Sequence, residues 1–379
     1  MNKIALVVGG SNGIGLAMCR EMLRRGYTKI YILDRSLPAV DLGKRAVFVQ
    51  FNLLNRDYAV LNRFSDIDTL ILTCGFGRVA AFDRLTDTEI CNLFQVNALA
   101  VSRILKHFYP QMQRSEPFYC AVMGSIAGLL SSPMFAVYGA TKAAVCTLIE
   151  SLNIELEAAG TPNRILNISP GSIKGTKFNG GDNDLQQTAP LAGDILDRTF
   201  RRDVLFIPEY EQVFKGVLAR YHQDAHQFGL ESYGYKQASG RLGDKPQVRT
   251  GYLSGTFDLF HIGHLNLLKR AKACCDYLVV GVHRDASHKG KEVFISFEER
   301  ADIVKSIEYV DKVIPAPRED IDAYPEIKYN YLFVGSDYEG SERFKRYEAY
   351  FEDKAVEIVY FPYTEGTSST QLRSRIAEK

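Results

Sequence analysis

No apolar run in this 379-residue chain approaches the roughly 18 residues that a membrane-spanning helix needs, which argues against an integral helical membrane protein. Charge of one sign is lacking too. Lys and Arg total 46 against 45 Asp and Glu, a net of +1, so broad attachment to nucleic acid or a membrane surface is not expected. The seven cysteines contain no Cys-x-x-Cys pair, and Cys274-Cys275 are adjacent, a poor start for a zinc site. Reduced thiols in a cytoplasmic protein are the expectation. Met1 to Val8 lead straight into glycine-rich sequence, without the apolar segment and cleavage site of an export signal. Internal repeats and low-complexity tracts are absent as well.

What is present is ordinary core-forming material. Apolar residues make up 46% of the chain and charged residues 24%, as in a globular protein with a real core. At roughly 100–200 residues per domain, two or three domains are expected. Continuous apolar runs at 3–9, 30–33, 46–51, 69–73, 118–123 and 164–168 alternate with helical patterns, notably 86–109 and 136–159. Buried parallel strands read this way, and the alternation predicts a doubly wound sheet. The pattern decays after about 223, and 225–248, rich in Gly, Gln, Ser and Tyr, is read as a linker. A second alternation follows, with strands near 248–254, 277–282, 312–314, 331–334 and 356–360 and helices at 263–274, 297–308 and 341–352. The expected fold class is therefore α/β, with two doubly wound parallel-sheet (Rossmann-like) domains at 1–224 and 249–379.

Two separate sets of chemistry-bearing residues lie on these halves. In the first, Gly9-Gly10-Ser11-Asn12-Gly13-Ile14-Gly15 joins a strand to a helix, a turn whose amides can approach a pyrophosphate. Asp34 ends the second strand, where a carboxylate accepts from an adenosine ribose; Arg35 follows at once and would suit a 2′-phosphate. NAD and NADP both stay open, with a lean to NAD. Tyr138 and Lys142 are one helical turn apart and share a face. A phenol ordinarily titrates at about 10, and a neighbouring ammonium is expected to draw it lower, toward acid–base use. Ser125, after an apolar strand, can hydrogen-bond a carbonyl.

Together these residues resemble the short-chain dehydrogenase/reductase family over roughly the first 220 residues. The resemblance rests on Gly9, Gly13 and Gly15, on Asn97 in Gln95-Val96-Asn97-Ala98, on Ser125 with Tyr138 and Lys142, and on Pro170-Gly171-Ser172-Ile173 with Thr176. It implies that Tyr138 passes a proton, Ser125 polarises a carbonyl, Lys142 holds the nicotinamide ribose and Asn97 supports a proton relay. It further implies cofactor contacts from Ser11, Asn12, Ile14, Asn52, Pro170, Gly171, Ile173 and Thr176, and a homo-oligomer. Three features depart from the family pattern. Val8 replaces a customary Thr, Leu72-Thr73-Cys74-Gly75 stands for Asn-Asn-Ala-Gly, and the usual last strand is not visible.

In the second half, Gly255-Thr256-Phe257-Asp258-Leu259-Phe260-His261-Ile262-Gly263-His264 sets two histidines three apart at a helix start, where the helix dipole favours anions. Such an arrangement suits a phosphate chain. A zinc pair is the rival reading; it needs further ligands, and His283 and His288 lack a pattern. No metal site is assigned. Residues 250–379 resemble the glycerol-3-phosphate cytidylyltransferase type of nucleotidyltransferase. Besides the histidine motif, Ser296-Phe297-Glu298-Glu299-Arg300, Gly335-Ser336-Asp337-Tyr338-Glu339-Gly340 and Glu365-Gly366-Thr367-Ser368-Ser369-Thr370 carry the likeness. It implies catalysis by His261 and His264. It also implies nucleotide contacts from Gly255, Thr256, Phe257, Lys289, Lys291, Arg300, Asp337, Ser368, Ser369 and Thr370, with CTP favoured over ATP and Mg²⁺ accompanying it. Tyr363 stands where such enzymes commonly have an Arg, so Arg318 or Arg343 would have to replace that cation, or the acceptor differs.

The expectation is a bifunctional enzyme acting on small molecules. One half would reduce a phosphorylated keto compound with NAD(P)H. The other would transfer CMP from CTP to a polyol phosphate, giving CDP-glycerol or CDP-ribitol for surface polysaccharide. A phosphocholine- or phosphoethanolamine-type transferase, and a transferase carrying a non-catalytic dinucleotide sensor, are the alternatives.

Overall fold

The computed structural model describes residues 3–362 except 56, 177, 179–181, 240–247 and 286–292. The chain divides into two compact units, Met1–Pro246 and Gln247–Lys379. Each is built on a wholly parallel sheet.

The first unit opens with β1 (Ile4–Val8), α1 (Gly13–Arg24), β2 (Lys29–Asp34), β3 (Ala46–Gln50) and β4 (Thr69–Leu72). It continues with α2 (Asp87–Phe94), α3 (Ala100–Met112), β5 (Tyr119–Met123), α4 (Ala136–Ala158), β6 (Ile165–Ile168), α5 (Leu185–Arg201) and β7 (Leu205–Phe206). The strand order is β3-β2-β1-β4-β5-β6-β7. From β1 the chain winds outward to β3, then returns to β4 on the other side. This reversal opens a crevice at the carboxyl ends of β1 and β4, where ligands of such sheets bind. β1 reads as a continuous apolar run because both faces are covered. Leu6 and Val8 enter one core with Leu70, Ile104 and Phe108, while Ala5 and Val7 enter the other with Met18, Ile30 and Ile195.

Three features differ from the sequence reading. The pattern at 86–109 is not one regular helix: a π turn, Gln95–Leu99, separates α2 from α3. A last strand does exist as β7, two residues long and paired with β6 through Asn167–Leu205 and Ile168–Phe206. It lacks the length that makes a strand visible in sequence. The stretch read as a linker is helical over α7 (Ala225–Ala238), following α6 (Lys215–Gln223). Asp224 caps α7 by accepting from the Gln227 N–H (2.8 Å), and Lys236 anchors it to Ser132 and Pro133. No residue of α7 is fully buried, so the helix carries no apolar stripe to read.

The second unit contains β8 (Thr250–Gly255), α8 (Ile262–Cys274), β9 (Tyr277–Val282), α9 (Phe297–Lys305) and β10 (Lys312–Pro315). After these come α10 (Tyr324–Ile327), β11 (Tyr331–Gly335), α11 (Glu342–Phe351) and β12 (Glu357–Phe361), in the order β10-β9-β8-β11-β12. The reversal falls between β8 and β11. Both histidines of interest follow β8 directly. No described helix is long and apolar enough to cross a membrane.

Candidate functional sites

The turn after β1 is built around close approaches. Gly9 has φ +86, and a Cβ there would lie 2.7 Å from the Cys74 amide nitrogen. A Cβ on Gly15 would strike the Gly9 carbonyl and the Thr73 hydroxyl. Thr73 explains one departure from the family pattern: its hydroxyl donates to the carbonyls of Val8 (3.2 Å) and Gly9 (3.1 Å), tying the end of β4 to the turn. Asp34 is placed as expected. Its Oδ2 accepts from the Ser11 N–H (3.0 Å) and its Oδ1 from the Arg35 N–H (2.7 Å). Ser11 is wholly buried, and its hydroxyl donates to the Ser36 carbonyl (2.6 Å), so its side chain braces the turn. Asn52, also buried, turns its Oδ1 to the Leu54 N–H (3.0 Å).

The segment after β6 closes on the same turn. Pro170 accepts from the Ile126 N–H (3.0 Å), Gly171 lies under the Phe214 ring, and Thr176 donates to Ile173 (3.1 Å). A Cβ on Gly13 would be 3.5 Å from that of Thr176. Asn183, which sequence reasoning passed over, accepts from the Gly13 N–H (2.9 Å) and donates to Asn12 Oδ1 (2.9 Å). Asn12 and Ile14 lie at the start of α1, with Ile14 buried in the core beneath the turn. The cradle thus has the clearances and the strand-end carboxylate that a dinucleotide requires.

Ser125, Tyr138, Lys142 and Asn97 are all buried. Ser125 Oγ accepts from the Ala127 N–H (3.2 Å), capping the short turn that follows, and its hydroxyl also meets the Tyr138 phenol. Burial pushes the Tyr138 phenol up to about 12, with Ser125 opposing the shift. This corrects the sequence reading, in which Lys142 lowers it. The Lys142 ammonium is turned to the Met123 carbonyl (2.7 Å), and burial depresses its own pKa. Shared helix face sets the pair's proximity, but desolvation sets the direction of the phenol's shift.

Asn97 lies in the π turn, a distortion often found at functional sites. Its Nδ2 donates to Phe76 O (2.9 Å) and Thr141 Oγ1 (3.1 Å), and its Oδ1 accepts from the Phe76 N–H (3.1 Å). Gly75 keeps Asn97 and Lys142 close: a Cβ there would lie 3.2 Å from Asn97 Oδ1 and 3.3 Å from Lys142 Nζ. Phe135 stacks on Tyr138 with centroids 4.1 Å apart, and Phe178 stands 5.5 Å from it. Neither aromatic was flagged by the sequence.

In the second unit, His261 is the N-cap of α8. Its Nδ1 accepts from the Gly263 N–H (3.1 Å), while His264 Nδ1 accepts from the His261 N–H (3.4 Å). The rings stack with centroids 4.0 Å apart. A ring whose Nδ1 accepts carries its proton on Nε2 when neutral. Burial lowers the His261 pKa and so favours that neutral form. Gly255 ends β8, Thr256 Oγ1 is buried without a partner among the described residues, and Phe257 is held at φ 53 against Gly255.

Arg300 corrects an expectation. It is wholly buried and donates to the carbonyls of Thr256, His283 (2.8 Å), Arg284 (2.8 Å) and Ile295 (2.9 Å). It braces the loops around the histidines rather than reaching into the crevice. Asp258 does similar work, accepting from the Phe294 (3.1 Å) and Ile295 (3.0 Å) amides. Arg343 is bound by Asp320 (3.1 Å) and Glu319 (3.4 Å), so its charge is already answered. Asp337, exposed on a short helical turn after β11, folds its Oδ1 against Gly335. Lys289, Lys291, Tyr363, Ser368, Ser369 and Thr370 lie outside the described residues. Among the described residues no group of three or more His, Cys, Asp or Glu is arranged to hold a metal.

Two parallel sheets with their residues gathered at the strand ends thus define a pair of nucleotide-handling units. Comparison with known proteins agrees. Residues 3–187 match the family model described as short chain dehydrogenase, and 252–375 match the one described as Cytidylyltransferase-like. A glycerol-3-phosphate cytidylyltransferase of Bacillus subtilis is 41% identical over 127 residues, covering 32% of this chain and 93% of that protein. A mouse ethanolamine-phosphate cytidylyltransferase is 48% identical over 89 residues, covering 22% of each. A Burkholderia phymatum short chain dehydrogenase/reductase, solved in complex with NAD, shares the fold with TM-score 0.51 and 20% identity. That match covers 59% of this chain and 94% of that one. The chain belongs to the glycerol-3-phosphate cytidylyltransferase-like nucleotidyltransferases in its second unit, and its first unit matches the short chain dehydrogenases over residues 3–187. Both are families of enzymes: the chain joins an oxidoreductase to a cytidylyltransferase.

Proposed function

We propose that the two units act in sequence, the first reducing a keto-phosphate to a polyol phosphate and the second coupling that product to CMP from CTP, with release of pyrophosphate. The observation that carries this reading is the coexistence on one chain of Ser125, Tyr138, Lys142 and Asn97 in one unit and the stacked His261–His264 pair in the other. A relative that the second unit covers over 93% of its length is named for glycerol 3-phosphate. The keto compound that gives glycerol 3-phosphate on reduction is dihydroxyacetone phosphate; ribulose 5-phosphate would give the ribitol counterpart.

A bound reduced nicotinamide supplies the hydride. The chain's own residues do the rest. Ser125, whose oxygen already accepts from Ala127, has its hydroxyl proton to offer a substrate carbonyl. The Tyr138 phenol is protonated at neutral pH, burial keeping its pKa high, and can donate that proton to the forming alkoxide. Lys142 and Asn97, brought together across Gly75, orient the cofactor's sugar and pass the proton on. Asp34 at the end of β2 supports NADH over NADPH, since a carboxylate repels a 2′-phosphate. In the second unit, His261 and His264 present Nε2–H donors beside the start of α8, where charge developing on an α-phosphate is stabilised. Mg²⁺ bound to the triphosphate would supply neutralising charge there.

A second acceptor class is favoured by the mouse ethanolamine-phosphate relative. A single incubation separates the two. The intact chain with dihydroxyacetone phosphate, NADH, CTP and Mg²⁺ should form CDP-glycerol, and omitting NADH should stop it. Turnover only with phosphoethanolamine or phosphocholine would reverse the acceptor assignment. A transferase that refuses everything the reductase makes would end the two-step reading.

A further inference from the structure

Several partly or wholly buried cations are answered by a carboxylate. Arg78 is answered by Glu89 (2.9 Å), and in the second unit Lys272 by Asp311 (2.6 Å) and Arg343 by Asp320 (3.1 Å). Lys236 of α7 has no carboxylate partner among the described residues. Its Nζ donates to Ser132 Oγ (2.7 Å) and Pro133 O (2.8 Å), and with part of its hydration lost its pKa is lowered to about 8. Withdrawing an ammonium from water without an anion is unfavourable, and a phosphate would relieve it.

The place where Lys236 is held matters as much as its charge. Ser132 and Pro133 lie in the segment between Ser125 and Tyr138. The Phe135 N–H donates to the Ser132 carbonyl (3.0 Å), and the Phe135 ring stacks on Tyr138 at 4.1 Å. The Ser132 Cβ comes within 3.8 Å of where a Cβ on Gly139, the residue after Tyr138, would sit. Lys236, delivered by a helix that follows the sheet in sequence, is therefore anchored to the segment that joins Ser125 to Tyr138 and that packs against both Tyr138 and the residue after it.

We propose that Lys236 binds the phosphate of the reductase's keto-phosphate substrate, with Ser132 beside it, so that α7 completes that site and selects phosphorylated ketones. This rests on the keto-phosphate reading above. The ammonium has three donors, of which Ser132 and Pro133 take two, and their directions are set by rotation about the last bond of a flexible stem. Lys236 can thus keep one backbone contact while turning toward a phosphate.

The test compares Lys236→Met and the unaltered full chain with NADH and two ketone pairs: dihydroxyacetone phosphate against dihydroxyacetone, and ribulose 5-phosphate against ribulose. Methionine keeps the apolar stem. In the unaltered chain the phosphate ester should be preferred. In Lys236→Met its kcat/KM should fall roughly 10- to 100-fold, mainly through KM, the range expected for one charge-assisted hydrogen bond. Reduction of the unphosphorylated ketone should not change, and Lys236→Arg should recover part of the loss. Equal slowing of both ketones, or of neither, overturns the assignment. If the unaltered chain shows no preference for either ester, the keto-phosphate reading itself falls. Should Lys236→Met fail to fold, the unaltered chain still decides. Dihydroxyacetone phosphate, and not dihydroxyacetone, should protect Lys236 from acylation by an N-hydroxysuccinimide ester, read by peptide mass spectrometry. Absence of protection overturns the assignment.

Discussion

Lys142 Nζ stands 5.7 Å from the centre of the Tyr138 ring and gives its short hydrogen bond, 2.7 Å, to the Met123 carbonyl instead. The pair is close enough to share a cofactor but does not form a phenolate–ammonium couple in the free chain. With burial raising the phenol, Tyr138 is poised as an acid rather than as a base. Tyr138→Phe should therefore lower ketone reduction by ~10²–10⁴-fold, the usual worth of a positioned acid, while CMP transfer continues. NADH oxidation and CTP turnover measured on the same preparation check both halves of this expectation. Reduction at near the original rate would remove Tyr138 from the proton's path.

Asp34 is the second point of test. Its two carboxylate oxygens accept from Ser11 and Arg35 amides, which fixes the group at the strand end. Asp34→Ala should shift the ratio of kcat/KM values for NADH and NADPH toward NADPH by ~10-fold or more, as expected when a charged hydrogen-bond partner is lost. A clear preference for NADPH in the unaltered chain would contradict the assignment.

His264→Ala should slow CMP transfer by ~10²–10³-fold, the loss typical of one preorganised donor, with reduction unaffected. A variant that transfers CMP normally would show that the stacked pair only caps α8.

His261 makes a pH prediction with a definite sign. Its folded pKa is depressed by burial, and its Nδ1 can accept from the Gly263 N–H only when unprotonated. The associated stability is present above the unfolded value of about 6.5 and is lost as pH falls through the lower folded value. Melting of the second unit should thus drop between neutral and mildly acidic pH, and His261→Asn, a good N-cap without a titrating ring, should flatten that dependence. An unchanged slope in the variant would assign the acid sensitivity elsewhere.

Arg300→Met separates bracing from nucleotide binding. Each buried carbonyl left without a donor costs about 1–3 kcal/mol, so the variant should lower the melting temperature of the second unit without nucleotide present. Unchanged stability together with a raised KM for CTP would restore Arg300 as a ligand.

The strand-turn-helix at the start was legible because its causes are local: β1 is apolar on both faces, and its glycines follow within seven residues. Tyr138 and Lys142 were legible as a pair because they share one face of α4, while Asn97 and Ser125 come from other segments. Burial was not. Residue spacing places Lys142 beside Tyr138, but burial, which spacing does not display, is what moves the phenol's pKa upward. Arg300 was misread because a sequence displays a cation and hides main-chain acceptors, here carbonyls spread from Thr256 to Ile295. Helix α7 escaped notice because its anchor is distant: Lys236 meets a hydroxyl 104 residues earlier in the chain.

The π turn at Gln95–Leu99 has a consequence for how this chain tolerates change. A π turn holds one residue more than the α-helical turn it interrupts. Deleting any one residue from it would restore a regular helix and rotate everything beyond it by about 100°, the angle per residue of an α-helix. Val101, Ile104, Leu105 and Phe108 now enter the core from α3 while Asn97 faces Thr141 and Phe76. A regular helix could satisfy one of those demands and not both. The surplus residue thus acts as a mechanical phase shifter, letting one continuous rod serve the chemistry at its start and the hydrophobic interior along its length. Single-residue deletions there should be far more damaging than substitutions at the exposed Phe94 or Leu99.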